Sequence, residues 1–319
     1  MEYRPGAVNF EPLNRFEERI NSVMSIVAQM LGCRYPVIQG AMGVISNPEM
    51  VAAVSEAGGF GLLATAFATD PDLVLSQIKA TKKLTNKPFG ANLHAMNPLT
   101  PKFAEVMAEE RLPAVTLSGG SPRQIVPILR EHNIKAIVVV PSVDVALKAV
   151  NTGADAIVAE GSESGGMQGF NGASTFVLVP AVVDAVDVPV IAAGGIADSR
   201  GYRAAFALGA QGVQVGTRFI ATKECSAHSN YKKIILETGD TGTRLVNLGR
   251  FQVRALNTPL VDRMLAGEPL PEKALSESSL EDCWVKGDLD AGTLPAGQVS
   301  GLISSIPSVQ EVIEEMVRP

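Results

Sequence analysis

The chain has 319 residues, 46% hydrophobic and 19% charged, with 30 glycines, enough for one large domain or two ordinary ones and a mix that suits a compact α/β protein. A net charge of −6, an isoelectric point near 5.3 and no run of Lys and Arg longer than two argue against non-specific nucleic-acid binding. Cys33, Cys225 and Cys283 are scattered without CxxC spacing, which suggests neither a disulfide framework nor a zinc site, and a reducing cytoplasm is the expected location.

No apolar run approaches the roughly 20 residues that span a bilayer. Glu17 and Glu18 ahead of a helical pattern are unlike a signal peptide. Phe16, Ile20, Val23, Met24, Val27, Met30 and Leu31 recur at helical spacing, so residues 14–31 are expected to pack on the main body. Short apolar runs then recur at 36–40, 60–64, 88–92, 114–118, 136–140, 155–159, 189–193 and 212–216. Their starts lie 24, 28, 26, 22, 19, 34 and 23 residues apart, room for one strand, one helix and two short loops per unit. In PEMVAAVSEAGG, for example, Met50, Val51, Val54 and Ala57 share a helical face that Gly58 ends.

The runs lack strict polar alternation, as parallel strands buried on both sides should. Eight such units predict a closed (β/α)8 TIM barrel within the α/β class, with an N-terminal helix and a small C-terminal extension over the barrel mouth. A doubly wound sheet is the alternative, but its nucleotide fingerprint is missing. The one G-x-G-x-x-A match, Gly59 to Ala64, opens a strand rather than a helix. The expected division is a helical segment over 1–34, the barrel over 35–235, and an extension over 236–319 that packs back on it. Within that extension 243–300 reads as turn-rich and irregular, with PLPEKALSESSL running over the surface. SVQEVIEEMV reads as a closing amphipathic helix, with Ser308 and Glu311 as its capping box.

Barrel ligands bind at the C-terminal strand ends. The seventh and eighth strands end in Gly194-Gly195 and Gly216-Thr217, where a phosphate site in this fold is usually built. Glycines there let backbone N–H groups approach an anion, Thr217 adds a hydroxyl, and the helix beginning near 197–199 adds its N-terminal dipole. His94, His132 and His228 are far apart in sequence, so no metal set and no nucleophile–base pair is legible, and His228 is expected to be structural. The remaining strand-end residues are small residues and amides. Such a site suits a planar cofactor that brings its own reactivity.

PVIQGAMG, AGGFGLLA, PFGANL, VVPSVDVALKAVNTGADAIVAEG, VPVIAAGGIAD, AAFALGAQGVQVGTRF and KECSAHSNYK resemble the FMN-dependent family of nitronate monooxygenases (2-nitropropane dioxygenases) and enoyl-acyl carrier protein reductases II. The match runs from about 35 to 235 and resumes over 287–303, with VVPSV and AGQ closer to the reductase branch. The resemblance implies FMN with its phosphate on Gly194, Gly195, Gly216 and Thr217. It places the ring against Ala41, Met42 and Gly43, Asn92 donating to its polar edge, and Glu160, Gly165 and Gly166 along the ribityl or substrate side. NAD(P)H would reduce the flavin, which would pass hydride to an enoyl thioester. Ala296 to Gln298 would close over the ring, with Gln298, Gln168 and Met167 toward substrate.

One departure stands out: Met167 occupies the position of the family His, the expected base for nitronate oxidation, and a thioether takes no proton at neutral pH. A lip residue, His94, is the candidate to compensate, while Met167 suits an apolar acyl pocket. The expected activity is therefore an FMN-dependent NAD(P)H oxidoreductase acting on an activated C=C. Nitronate oxidation, a non-redox isomerase or dehydratase, and a flavin-binding protein without catalysis are the alternatives. A small-molecule or acyl-thioester substrate and a homodimer are expected, with no nucleic acid, membrane or metal.

Overall fold

The computed structural model describes residues 25–169, 172–249, 251–269 and 277–319. Residues 14–24 of the expected N-terminal helix and 270–276 of the PLPEKALSESSL segment lie outside them. The barrel strands are β1 (Val37–Gln39), β2 (Leu62–Ala64), β3 (Gly90–His94), β4 (Ala114–Ser118), β5 (Lys135–Val140), β6 (Ala156–Glu160), β8 (Val190–Ala193) and β9 (Gly212–Val215). All pair in parallel, in the order β1-β9-β8-β6-β5-β4-β3-β2. The remaining seam closes through a parallel bridge between Ile38 and Phe60, where the Gln39 and Phe60 N–H groups donate to Phe60 and Val37 carbonyls at 3.0 and 2.9 Å. The eight expected strands are these eight, and the fold is the TIM barrel.

Successive side chains on a strand face opposite ways, and here both faces are apolar. Ile38, Leu62, Ile137, Val158 and Ile191 belong to one buried cluster with Val27, Ala28 and Leu31 of the helix Ile26–Leu31. That helix therefore plugs the barrel interior from below. Its start is tied down by Ser25, whose side chain accepts from the Val27 N–H at 3.2 Å and whose hydroxyl donates to the Gln211 carbonyl. The alternate residues Val37, Leu63, Val115, Leu117, Ala136 and Val138 join the larger cluster between barrel and outer helices.

The outer helices start where the sequence signals a cap. Asn47, ahead of Pro48, accepts from the Met50 N–H at 3.0 Å to open Pro48–Glu56. The closing helix Val309–Met316 has both halves of its capping box: Ser308 Oγ accepts from the Glu311 N–H at 3.2 Å, and Glu311 accepts from the Ser308 N–H at 2.6 Å. It buries Val309, Val312, Ile313 and Met316 against the helices Pro48–Glu56 and Ser199–Ala207.

The C-terminal third departs from the irregular chain expected over 243–300. β10 (Thr243–Asn247) and β11 (Gln252–Leu256) form an antiparallel hairpin, and β11 also pairs with β7 (Gly166–Gln168), inside the loop that follows β6. Helices span Pro259–Leu265 and Glu277–Trp284. The hairpin is obscured in sequence because RLVNLGRFQV carries exposed Arg244, Leu245 and Asn247 beside buried Val246 and Val253, so little apolar alternation remains. β7 is three residues of GMQ, with no β-branched side chain to announce it; its strand character comes from its partner.

Candidate active site

A cavity of about 1400 Å³ opens at the C-terminal ends of the barrel strands. Sites for single small ligands run to roughly 300–1,000 Å³, so this one has room for a cofactor and a substrate together. Ala41, Met42, Gly43, Asn92, His94, Glu160, Gly165, Gly166, Met167, Gln168, Gly194, Gly195, Gly216 and Thr217 all line it. Gln298 does not. Its side chain is exposed and its N–H donates to the Glu163 carbonyl at 2.9 Å. The AGQ segment packs against the loop after β6, and Gly297 within it lines the cavity together with Pro295 and Val299.

The end of the cavity formed by β8 and β9 is built from backbone. Gly194 and Gly195 both have φ in the left-handed region, +98° and +72°. A Cβ on Gly194 would lie 2.9 Å from the Gly161 carbonyl oxygen and from Thr175 Oγ1, so glycine is required there for packing as well as for ligand approach. Thr217 Oγ1 accepts from the Gly297 N–H at 3.0 Å, which directs the hydroxyl hydrogen elsewhere. Beside them Gln214 Oε1 is buried without any hydrogen-bond partner. That oxygen is sealed off from the cavity space, and as an acceptor it offers nothing to a phosphate. The expected helix dipole, in contrast, is already answered: Asp198 caps Ser199–Ala207 by accepting from the Arg200 and Gly201 N–H groups at 2.9 and 3.3 Å.

On the β1 side a buried network shapes the chain that would face a ring. Gln39 Nε2 donates to Ser46 Oγ at 2.9 Å and Ser46 Oγ accepts from the Met42 N–H at 2.7 Å, which pins the turn carrying Ala41 and Met42. Trp284 Nε1 donates to the Thr293 carbonyl at 2.7 Å, and its ring lies so close to Gly43 that a Cβ there would come within 2.7 Å. Asn92 is held rather than free: Nδ2 donates to Thr116 Oγ1 at 3.0 Å and Oδ1 accepts from Ser118 Oγ at 3.3 Å.

His94 stands at the end of β3 against Gly119, and burial pushes its imidazole below the usual range, so it is neutral at pH 7. His228 caps the helix Ser229–Glu237, its Nδ1 accepting from the Asn230 N–H at 3.1 Å.

The loop after β6 is more ordered than its glycines suggest. Glu163 accepts from the Thr175 N–H at 2.8 and 3.0 Å and from the Thr175 hydroxyl at 2.9 Å, capping the helix Thr175–Val183. Arg254 on β11 donates to the Ser162 carbonyl at 3.0 Å and to Thr243 Oγ1 at 3.2 Å, tying hairpin and loop together. A Cβ on Gly165 would meet the Ala296 backbone at 2.5 Å, so that glycine serves chain packing where ligand approach was expected. Met167 pairs with Val253 and is 39% exposed.

Gln168 Nε2 donates to Ser164 Oγ at 2.6 Å, and Ser164 is the polar side chain that favours the Glu160 carboxylate. Burial pushes the Glu160 carboxyl up to about 7, against the opposing pull of Ser164. Arg254, Gln214 and Trp284 were not legible as site residues: Arg254 and Trp284 lie in the C-terminal extension, and Gln214 reads as strand interior, while Glu163 stands in the loop after β6 with nothing local to show its role.

Among the described residues there is no cluster of His, Cys, Asp and Glu that could hold a metal ion. A barrel mouth of glycine backbone and apolar walls suits an organic cofactor, and with the chain's family match the class is a flavin-dependent oxidoreductase. The chain belongs to the nitronate monooxygenase family, whose model matches residues 24–318.

FabK from Thermotoga maritima is similar in structure, with TM-score 0.84 and 38% identity, covering 93% of this chain and 96% of that one. A nitroalkane oxidase from Streptomyces ansochromogenes has TM-score 0.79 and 27% identity over 91% of this chain and 96% of its own. In sequence the chain is 31% identical, over 93% of its length and 96% of the relative's, to a Rhodococcus jostii (strain RHA1) "(3aS,4S,5R,7aS)-5-hydroxy-7a-methyl-1-oxo-octahydro-1H-indene-4-carboxyl-CoA dehydrogenase".

Proposed function

We propose that the protein is an FMN-dependent oxidoreductase that reduces the Cα=Cβ bond of an acyl thioester, with NADH or NADPH as electron donor. The observation that carries this reading is one large cavity at the barrel mouth whose lining combines glycine backbone with apolar side chains. Gly194, Gly195, Gly216 and Thr217 line it at the ends of β8 and β9, and Met167, Leu248, Phe251 and Val253 line it from β7 and the β10–β11 hairpin. The first suits a phosphorylated cofactor and the second an acyl chain. The similarity to a carboxyl-CoA dehydrogenase and to FabK supports a thioester substrate.

The residues present fit FMN. The N–H groups of Gly194, Gly195, Gly216 and Thr217 would hold its phosphate, with the Thr217 hydroxyl hydrogen as a further donor. Ala41 and Met42, on the turn that Ser46 pins, would lie against its ring. FMN, when bound, supplies hydride transfer between nicotinamide and the activated carbon. Trp284, Phe251 and Leu248 exclude water from the mouth, and Arg254 holds the sheet that carries two of these walls to the loop.

The test is the absorbance spectrum of the purified protein, its bleaching by NADH or NADPH, and re-oxidation by enoyl-CoA or an enoyl-carrier thioester. Re-oxidation at least 10-fold faster with thioester than with air alone is expected. A flavin that either nicotinamide bleaches but no thioester re-oxidises would sink the reading. Nitronate oxidation, favoured by the family name, is the second reading. It lacks a basic side chain at Met167, and turnover of a nitronate faster than of any thioester would establish it instead.

A further inference from the structure

Chemistry at a thioester α-carbon needs a group that holds and releases a proton near neutral pH. The titratable side chains lining the cavity are His94, Arg123, Lys148, Glu160, Glu163 and Tyr231. Arg123 and Lys148 are exposed at the rim. Glu163 is occupied by the Thr175 N–H and hydroxyl. Tyr231 is fully buried and donates its phenol to the Pro295 carbonyl. His94 sits on β3, separated from β6 by β4 and β5, and its Nε2 end abuts Gly119.

Glu160 differs from all of these. It ends β6, its strand neighbour on β8 is Ala193, and the last residue of β5 beside it is Val140. No charged group faces it from either strand, and the nearest carboxylate along the loop, Glu163, points to Thr175. Its one polar partner is Ser164. Gln168 Nε2 donates to Ser164 Oγ at 2.6 Å, which fixes the serine and leaves its hydrogen available to the carboxyl. Gln168 is itself fixed in β7 opposite Gln252. The carboxyl therefore has Ser164 as its polar neighbour and faces the cavity it lines.

We propose that Glu160 moves the proton at the carbon next to the thioester carbonyl, with Ser164 and Gln168 as its positioning residues. This rests on the thioester reading of the site. In one direction the Glu160 carboxylate forms an O–H bond as the α-C–H bond breaks, and the electron pair stays with the thioester as its enolate. In the other, the carboxyl gives its proton to the α-carbon, the enolate pair forms the C–H bond and the carboxylate is restored. Neither direction consumes an oxidant or a reductant. A carboxyl titrating near 7 is matched to both directions at neutral pH.

The experiment measures deuterium uptake at the α-carbon of a saturated acyl-CoA in D2O, by mass spectrometry, without nicotinamide. Uptake by the flavin-loaded wild type is expected, roughly 10²–10⁴-fold slower in Glu160→Gln and within about 3-fold of wild type in His94→Ala. Ser164→Ala is expected to slow it less and to move its pH midpoint upward, because the hydroxyl stabilises the carboxylate. A second readout needs no turnover: the infrared band of a protonated carboxyl persisting above pH 5 in wild type and missing in Glu160→Gln.

Exchange in Glu160→Gln at the wild-type rate, or loss of exchange in His94→Ala alone, overturns the proposal while thioester reduction by wild type still stands. A wild type that neither exchanges nor reduces any thioester overturns the substrate reading and this role together.

Discussion

Gly194 and Gly216 share a proposed role toward phosphate, yet substitution should expose two different needs. At Gly194, φ is +98° and a Cβ would press on the Gly161 carbonyl and Thr175 Oγ1, so Gly194→Ala is expected to cost about 1–3 kcal/mol of stability, read as a lowered Tm. Gly216 has φ of −112° and its nearest neighbour for a Cβ is Met42 Sδ at 3.8 Å. Gly216→Leu should therefore fold with an apo-protein Tm within a few degrees of wild type and lose flavin absorbance. Retained flavin in that variant would remove Gly216 from the phosphate site.

Glu160 yields a pH prediction of its own. Its ordinary value of 4.5 rises to about 7 in the fold, so the native protein binds the proton more tightly than the unfolded chain. The stability this contributes is complete below about 4.5 and is lost as pH rises through about 7. For flavin-free protein, denaturation midpoints should fall over that window, and Glu160→Gln should flatten the fall. An unchanged slope would place the titration elsewhere. The glycines and His94 were legible because strand ends are. Glu163 was not, since its partner Thr175 lies 12 residues on and nothing local joins them.

Among elements, the loop after β6 and the β10–β11 hairpin behave as one unit. Glu163 caps the helix Thr175–Val183 while Arg254 reaches from β11 to the Ser162 carbonyl. Glu163→Ala leaves the Thr175 N–H without its acceptor and is expected to cost about 1–2 kcal/mol, seen in thermal denaturation. Arg254→Met keeps the bulk of the side chain and removes both hydrogen bonds. Amide exchange in β7, faster by 10-fold or more in this variant, would show that β11 holds that short strand in place. Barrel strands could be read from apolar runs at regular intervals. β7 could not, because a three-residue strand containing glycine is stable only through long-range pairing with residues some 85 positions away.

For the molecule as a whole, no helix among the described residues is long and apolar enough to cross a membrane. The homodimer expected from the family resemblance is a proposal, and one surface offers its test. The helix Thr175–Val183 is apolar on every side, and Phe176 and Val177 are 72% and 60% exposed. Such a helix is ordinarily covered on both faces. Phe176→Asp with Val177→Lys is expected to convert a sedimenting dimer to monomer with flavin retained. A wild type that sediments as monomer at micromolar concentration would end the dimer proposal.

Composition and the spacing of apolar runs were sufficient for the barrel, because each βα unit is a local pattern and eight of them have few ways to close. Glycines at successive strand ends were sufficient to place the cavity and the residues that gather there. Long-range contact settled the rest. The AGQ segment packs against the loop after β6, since the Ala296 and Gly297 backbone fits only against a glycine at 165. Asp198 already answers the helix end that was expected to face phosphate. And the raised carboxyl of Glu160, at the end of β6, comes from burial, a property of surroundings that no stretch of sequence displays.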